Sequence, residues 1–179
     1  MASPILIRPI QLADVEAFAQ MRIEAVRDYP LAFTADLGQT QGRSMDEWKE
    51  LAARNAGDGA EVIMLADAGR ALAGMSGVFV PKAGKLAHVG TIWGVYVRPA
   101  FRGQNVGRRL LEACIDWARK QRLVALKLSV VAGNDAAQRC YERCGFATYG
   151  VEPVAVRWEG KLYDEVLMGL RLEGGFDVS

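Results

Sequence analysis

The chain has 179 residues, 51% of them apolar, and its 22 basic and 21 acidic side chains leave a formal charge of +1. This apolar fraction is enough for a core, whereas the balanced charge argues against nucleic acid or an anionic membrane as a partner. The longest stretch without Asp, Glu, Lys or Arg, 86–97, is shorter than the roughly 20 residues that a membrane helix needs. We therefore expect a single domain over residues 1–179, without a membrane segment.

The cysteines and the amino terminus indicate the compartment. The three cysteines, Cys114, Cys140 and Cys144, are odd in number and lack CxxC spacing, so neither a disulfide framework nor a zinc site is predicted. Arg8 and Asp14 interrupt the only amino-terminal apolar cluster before it reaches the length of a signal-peptide core. We expect reduced thiols, no bound metal and a cytoplasmic protein.

The amino-terminal part predicts a strand and two helices. ILIRPI (5–10) is typical of a short strand, and the apolar residues that follow, up to Tyr29, recur on one face of a helix. Ser44 and Glu47 have the spacing of a capping box, which predicts that a second helix begins there. The segment between the two helices, 29–43, is predicted to be a long irregular loop.

Extended segments follow from residue 61. EVIMLA (61–66), ALAGMSGVFV (71–80) and LAHVGTIWGVYV (86–97) are separated by turn sequences, DAGR and PKAGK. Pro99 ends the third strand because it cannot donate to a ladder. This pattern predicts a three-stranded antiparallel meander.

The next segments predict a crossover. Val106, Leu110 and Cys114 fall on one face of an amphipathic helix. The apolar strand after it, LVALKLSVV (123–131), is reached through that helix, so it is expected to pair parallel to IWGVYV (92–97).

A short helix and a hairpin complete the pattern. NDAAQRCYERCGF (134–146) predicts a helix with Asn134 as N-cap and Gly145 as a left-handed residue at its end. Two further strands joined at Glu159–Gly160 form a hairpin. The predicted fold class is α/β, with a mixed sheet that is antiparallel at both ends and has one parallel crossover in the middle.

The stretch RGQNVGRR (102–109) directly precedes the amphipathic helix. A helix start has about four amide groups without intrahelical partners and carries partial positive charge, which suits an anion. Gly103 and Gly107 let a phosphate approach the backbone, and Arg102, Arg108 and Arg109 add positive charge. The alternative is a tight turn with solvated arginines.

Other nucleotide and hydrolase motifs do not occur. The chain has no G-x-x-x-x-G-K-[ST], G-x-G-x-x-G or G-x-S-x-G sequence, and His88 is its single histidine. ATP hydrolysis, dinucleotide redox chemistry and serine hydrolysis therefore have little support. We interpret His88 as a packed or edge residue of a strand.

Two motifs resemble one known family. VYVRPAFRGQNVGRRLL (95–111) is similar to the acetyl-CoA motif of the GNAT superfamily of N-acetyltransferases. The family's next motif, Asn-x-x-Ala-x-x-x-Tyr-x-x-x-Gly-Phe, is matched in the right order by Asn134, Ala137, Tyr141, Gly145 and Phe146. Asn105 departs from the pattern, because the family's turn usually has a glycine there, but asparagine tolerates the left-handed conformation better than most residues.

The resemblance implies a GNAT fold with two splayed central strands and a site for acetyl-CoA. The pantetheine arm would pair with the main chain of Val95 and Val97, and Asn134 and Ala137 would lie beside it, although Asn134 has the alternative role of a cap alone. The diphosphate would be held by the turn residues Arg102, Gly103, Gln104, Asn105, Val106, Gly107 and Arg108.

Catalytic groups are also implied by the resemblance. Tyr141 corresponds to the usual general acid of the family, which protonates the departing CoA thiolate, although its ring is equally suited to a core. The Val95 amide would meet the oxyanion. Many relatives carry a carboxylate base at the positions of Trp93 and Gly94. No base is assigned, because the other acidic candidates are better explained as surface or structural charges: Glu24, Asp28, Glu152, Asp164 and Glu165.

We therefore hypothesise an enzyme that moves the acetyl group of acetyl-CoA to a primary amine of a small molecule or peptide, by direct attack in a ternary complex. A non-catalytic acyl-CoA-binding or sensing domain is the alternative, and nucleic-acid binding through the arginines is disfavoured. Dimers are common in the family, so a homodimer stays open. Four aromatic residues suit either an acceptor pocket or the core: Tyr29, Phe33, Trp48 and Trp93.

Overall fold

The computed structural model describes residues 4–57 and 59–172. The remaining residues of the expected 1–179 domain, 1–3, 58 and 173–179, lie outside the described part. The strands are β1 Leu6–Pro9, β2 Glu61–Asp67, β3 Leu72–Phe79, β4 Val89–Val97, β5 Ala125–Val131, β6 Ala147–Trp158 and β7 Lys161–Arg171. The α-helices are α1 Val15–Asp28, α2 Leu37–Gly42, α3 Met45–Arg54, α4 Val106–Lys120 and α5 Asp135–Arg143.

One mixed sheet contains all seven strands of the described residues, in the order β1-β2-β3-β4-β5-β7-β6. Every neighbouring pair is antiparallel except β4 and β5, which are parallel and connected through α4. The predicted α/β class, the meander, the single crossover and the terminal hairpin are thereby confirmed. None of the described helices is long and apolar enough to cross a bilayer.

The two parallel strands separate part-way along their length. Their pairing runs from Val89–Ala125 to Thr91–Lys127 and ends there. From Ile92 and Leu128 onward the strands diverge, which opens a gap in the middle of the sheet and confirms the splayed pair.

A bulge in β4 borders this gap. Trp93 pairs with Gly77 and Tyr96 with Met75, so Gly94 and Val95 together lie opposite a single residue of β3. Gly94 has a φ of 66°, a left-handed conformation that favours glycine. Because the bulge adds one residue, the Trp93 and Tyr96 side chains face the same side of the sheet.

The core has one layer on each side of the sheet. Leu110, Leu111 and Cys114 of α4 pack against one face together with Phe146. On the other face, α1 and α3 contribute a second group of apolar side chains, Phe18, Met21, Trp48 and Ala52. The fold thus covers both faces and leaves the gap between β4 and β5 accessible.

Local expectations were met at several helix ends. The Ser44 hydroxyl accepts a hydrogen bond from the Glu47 amide and the Glu47 carboxylate accepts one from the Ser44 amide, so the capping box is present. The Asn134 side chain caps α5, and Gly145 has a φ of 91°.

Two predictions were wrong. Segment 29–43 is not irregular throughout: Asp36 accepts a hydrogen bond from the Gln39 amide and starts α2, and the Thr40 side chain is buried against the core. His88 precedes β4 and is exposed, because the strand begins only at Val89. In both places the tertiary context, which the local pattern does not contain, decides the conformation.

Candidate active site

The gap between β4 and β5 forms a narrow cavity of about 80 Å³. Residues 92–95 of β4 and 128–131 of β5 are its two walls. The N-cap Asn134 and two residues of α5, Ala137 and Tyr141, line it as well, and Glu165 of β7 also borders the cavity. Val95, Asn134, Ala137 and Tyr141, which the resemblance named separately, are therefore brought together at this gap.

A second cavity, of about 530 Å³, lies at the start of α4. Gly103 and Asn105 both have left-handed backbone conformations, with φ values of 76° and 59°. The first hydrogen bond of the helix runs from the Arg109 amide to the Asn105 carbonyl at 3.0 Å. The amides of 106–108 precede that bond and point out of the helix end, as an anion site requires.

The expected phosphate-binding residues divide into two groups. Those that line the cavity are Arg102, Gly103, Asn105, Val106, Gly107 and Arg108, and Val97, which was expected to pair with the pantetheine arm, lines it as well. Gln104 instead donates from its side chain to the Ala100 carbonyl at 3.4 Å, and Arg109 reaches the Ile5 carbonyl at 2.7 Å. The cavity therefore contains most of the predicted turn, with Arg143 of α5 as an additional cation.

Arg102 is tied to the strand beside the cavity. Its Nε donates to the Val97 carbonyl at 3.0 Å, and its guanidinium lies 4.8 Å from the centre of the Tyr29 ring. One of the two main-chain groups through which Val97 was expected to bind the pantetheine arm is thus occupied by a side chain. Val95 lies in the bulge of β4, outside the regular β3–β4 ladder.

Tyr141 lines the narrow cavity and is buried, with 8% of its surface exposed. Its ring packs edge-on against Phe146, at 6.3 Å between the ring centres. Burial raises the pKa of the Tyr141 hydroxyl, and the nearby Cys140 and Cys144 add to this effect. The phenol therefore stays protonated at neutral pH, which is the state that a general acid requires.

Asn134 is the N-cap of α5, one of the two roles expected for it. Its side-chain oxygen accepts a hydrogen bond from the Ala137 amide at 3.3 Å. The residue also borders both the narrow cavity and a groove next to it. The cap holds the start of α5 at the mouth of the gap.

Most of the acidic candidates have structural partners. Glu24 forms a bidentate ion pair with Arg98 at 2.8 and 3.0 Å, and Asp28 pairs with Arg27 at 2.7 Å. Asp164 accepts a hydrogen bond from the Val154 amide at 2.8 Å, and the Glu152 side chain is exposed. Glu165, by contrast, borders the cavity that contains Tyr141.

A groove of about 500 Å³ adjoins the gap and shares four lining residues with it: Leu31, Ala32, Val131 and Asn134. The Tyr29 side chain lies on its α1 side, and Trp158 and Tyr163 of the terminal hairpin form its other side. The hairpin aromatics were missed by the sequence reasoning, because only the folded sheet brings them next to residue 29. Phe33 and Trp48 are buried in the core.

The Cys140 thiol borders the cavity at the start of α4. A hydrogen bond from Cys144 lowers the pKa of Cys140 to about 7, and Arg143 and Arg108 contribute to the shift. Cys114, in contrast, is buried in the core, which raises its pKa to about 12. The surroundings thus favour the thiolate form of Cys140 and oppose that of Cys114.

Alkylation by iodoacetamide tests this difference. Because the thiolate is the nucleophile, the rate at Cys140 is expected to reach half its maximum near pH 7, below the ~8.5 of an ordinary thiol. Mass spectrometry of peptides gives the rate at each site, with Cys114 as an internal reference and Cys140→Ser as a control. A Cys140 midpoint at or above that of free cysteine would contradict the assignment.

The comparison with known families decides the classification. The model of the acetyltransferase (GNAT) family matches residues 20–146, more than half of the chain. The chain belongs to the GNAT family. The match contains the splayed strands, the turn before α4 and all of α5, so the family's characteristic segments are those that form the cavities described above.

Relatives of this GNAT protein include enzymes with different acceptors. It is 35% identical over 79 residues to an L-methionine sulfoximine/L-methionine sulfone acetyltransferase of Pseudomonas aeruginosa, covering 44% of this chain and 46% of the relative. It is 41% identical over 56 residues to the [ribosomal protein bS18]-alanine N-acetyltransferase of Escherichia coli, covering 31% and 38%. The chain thus spans less than half the length of either relative.

Solved structures show the same fold. A GNAT acetyltransferase from Streptococcus pneumoniae has a TM-score of 0.83 at 22% identity, over 94% of this chain and 99% of that one. The protein yncA from Salmonella typhimurium, solved with its cofactor acetyl-CoA, has a TM-score of 0.83 at 21% identity, over 99% of each chain. In the described part of this GNAT protein, no group of three or more His, Cys, Asp and Glu side chains is arranged to hold a metal ion.

Proposed function

We propose that the protein transfers the acetyl group of acetyl-CoA to a primary amine. The observation that carries the proposal is the position of the gap at Tyr141 between two other spaces. It shares four lining residues with the aromatic groove, and Val97 of β4 and Cys140 of α5, which line the cavity at the α4 start, are chain neighbours of the gap residues Val95 and Tyr141. A coenzyme can enter from one side and an amine from the other. Membership of the GNAT family supports the same reaction class.

The cofactor-binding side fits acetyl-CoA chemically. The amides of residues 106–108 and the guanidiniums of Arg102, Arg108 and Arg143 suit a diphosphate. A Cβ added at Gly103 would meet no atom within 4 Å, so the backbone there is open to a ligand. The arm would extend along Val97 and Val95 towards the gap, and the thioester would lie at Tyr141.

The proposed reaction needs a base, an oxyanion site and an acid. Glu165 accepts the proton that the ammonium group of the acceptor must lose before attack. The amine then forms a C–N bond with the thioester carbon, and the Val95 amide, which the bulge leaves outside the ladder, binds the resulting oxyanion. The oxyanion pair then re-forms the carbonyl as the C–S bond breaks, and Tyr141 protonates the departing thiolate of CoA. The new amide nitrogen gives up its second proton to the Tyr141 phenolate, directly or through water, which restores the neutral phenol.

The acceptor is proposed to be a small molecule or a peptide amine. The groove volume of about 500 Å³ lies within the range of roughly 300–1,000 Å³ that is usual for small-ligand pockets. The two relatives named above act, respectively, on amino acid derivatives and on an alanine of a ribosomal protein. Both kinds of acceptor present an α-amino group, which an aromatic-sided groove accommodates.

The release of free CoA thiol from acetyl-CoA over a panel of amines, amino acids and short peptides tests the proposal. We expect acceptor-dependent release that saturates with both substrates. Acetyl-CoA binding by calorimetry, run in parallel, separates the alternatives. Tight binding without turnover on any acceptor would overturn the enzyme and favour an acyl-CoA-binding or sensing domain.

The role of Glu165 is tested by replacing it with glutamine. This substitution is expected to lower kcat about 10²–10⁴-fold at neutral pH, the usual range for general base catalysis. Because the amine itself deprotonates as pH rises, the loss should become smaller above pH 9. Glu152→Gln is the matched control, since Glu152 lies opposite Glu165 on β6 with an exposed side chain. Equal losses in both variants, or a loss that does not change with pH, would contradict a proton-accepting role.

A further inference from the structure

The groove beside the gap is lined mainly by aromatic and apolar side chains. Tyr29 forms one side of it, and Trp158 and Tyr163 of the terminal hairpin form the other. The apolar residues between them are Pro30, Leu31, Ala32, Val131 and Ala132. Trp158 is 40% exposed, so a large part of its ring surface is free for a ligand to cover.

The register of the hairpin puts these rings on the same face as the proposed base. Trp158 lies directly opposite Lys161, and such cross-strand partners have their side chains on one face of the sheet. Alternate residues along β7 share that face, so Tyr163 and Glu165 follow Lys161 on it. Two residues of a strand span about 7 Å, a distance that a short alkyl arm bridges between an amine at Glu165 and a ring at Tyr163.

The charges along the two spaces favour an uncharged ligand body. Of the described residues that line the groove and the gap, Asp28 and Glu165 are the ones with charged side chains. Asp28 is paired with Arg27 at 2.7 Å, so it offers little to a second ammonium group of an acceptor. An acceptor carboxylate would lose its hydration without gaining a counter-charge, and Glu165 would repel it.

The cations closest to the groove are directed elsewhere. Arg102 lines the cavity at the start of α4 and donates to a main-chain carbonyl of β4. Arg22 packs against the β4 bulge with its Nη1 buried, and its guanidinium lies over the Phe33 and Trp93 rings. Lys161 is exposed and is not one of the lining residues. The described lining therefore contains no cation for an acceptor carboxylate.

We propose that the acceptor is an arylalkylamine without a carboxylate beside its amine. The inference rests on the proposed acetyl transfer. The ring lies in the groove between Tyr29 and the hairpin pair Trp158 and Tyr163, and the alkyl arm carries the amine into the gap at Glu165. Trp158 and Tyr163 are specificity-determining residues in this assignment, because they contact the ring and take no part in proton transfer.

Four acceptors test the proposal on the wild-type enzyme: 2-phenylethylamine, propylamine, L-phenylalanine and 1,4-diaminobutane. The value of kcat/KM for 2-phenylethylamine is expected to exceed each of the others about 10-fold or more, the range for contacts in an apolar pocket. The amine of L-phenylalanine is the more easily deprotonated, so protonation works against this result. An equal or higher value for any of the other three acceptors would overturn the proposal.

Replacing Trp158 by alanine tests the role of the hairpin ring. The ratio of kcat/KM for 2-phenylethylamine to that for propylamine is expected to fall about 10- to 100-fold, whereas Trp158→Phe should retain most of the ratio. Leu162→Ala is the matched control, since Leu162 is an exposed apolar residue of the same hairpin that lines neither space. An unchanged ratio in Trp158→Ala, or an equal fall in the control, would overturn the assignment.

A binding measurement separates the groove from the reaction. In the presence of CoA, 2-phenylethanol, which lacks the amine, is expected to shift the indole N–H NMR signal of Trp158. The Trp158→Phe spectrum identifies this signal among those of the four tryptophans. Half of the shift should require an about 10-fold higher concentration of 3-phenylpropionate, which carries a carboxylate.

The NMR titration gives three distinct outcomes. No shift of the Trp158 signal with 2-phenylethanol, or equal concentrations for the alcohol and the acid, would overturn the proposed aryl site. The expected order of the two compounds together with acetylation of 2-phenylethylamine supports both proposals. If the order holds while no amine is acetylated, the aryl site stands and the proposed transferase activity fails.

Discussion

Replacing Tyr141 by phenylalanine is expected to lower kcat about 10²–10⁴-fold without changing the affinity for acetyl-CoA, because the general acid is lost and the ring is kept. The substitution retains the edge contact with Phe146 and the burial of the ring in the core. Since burial holds the hydroxyl in its protonated form, the loss of rate should extend over neutral pH. Steady-state kinetics with the best acceptor and calorimetry with acetyl-CoA provide the two measurements.

The control for this variant is Tyr149→Phe on β6. Tyr149 is 56% exposed and lies over Lys127, away from the gap. It should leave kcat within about twofold of the wild type, as surface substitutions usually do. A Tyr141→Phe enzyme with unchanged kcat would show that the thiolate leaves without this hydroxyl, and the buried tyrosine would then be a core residue.

Replacing Gly107 by aspartate is expected to weaken acetyl-CoA binding roughly 10²–10³-fold. A new carboxylate about 4 Å from a diphosphate charge costs about 4 kcal/mol at an effective dielectric constant of 20. The fold should tolerate the substitution, since a Cβ at Gly107 would meet the Cys140 sulfur and a Val97 methyl group at an ordinary 3.6 Å. An acidic residue in the first turn also favours the helix dipole.

Gly107→Ala is the matched control, because it adds the same Cβ without a charge. We expect the affinity of the alanine variant for acetyl-CoA to lie within a few-fold of that of the wild type. The aspartate variant should unfold at a temperature equal to or above that of the alanine variant. Calorimetry and thermal unfolding check both points. Equal affinity of the two variants for acetyl-CoA would mean that the diphosphate does not approach the start of α4, and the proposed orientation of the coenzyme would have to be abandoned.

Features that depend on neighbours in the chain were predictable from the sequence. Ser44 and Glu47 form their capping box, and Asn134 caps α5, because each of these contacts spans three residues of backbone. Asn105 has the left-handed conformation that its departure from the family's glycine implied. The alternation and turn patterns indicated the order of strands for a similar reason, since periodicity is a local property.

Features that depend on contacts between distant parts of the chain were not predictable from the sequence. Helix α2 was missed because its sequence, LGQTQG, contains two glycines, and the cap by Asp36 and the burial of Thr40 stabilise it. The sequence pattern did not distinguish the two glutamates as candidate bases. Only the structure shows that Glu165 borders the gap and that Glu24 forms an ion pair with Arg98. Phe33 and Trp48 were equally suited to the core and to a pocket until the packing of α1 and α3 decided for the core.

The sequence by itself determined the family, the mixed sheet and the turn that opens α4, because these reside in short motifs with defined spacing. Only the tertiary structure decided which side chains meet across the gap. Strands β4 and β7 are far apart in the chain, and the bulge at Gly94 turns Trp93 towards Arg22. Whether a buried charged group finds a partner depends on every element packed around it. The buried Nη1 of Arg22, which has no hydrogen-bond acceptor among the described residues, was therefore visible only in the folded protein.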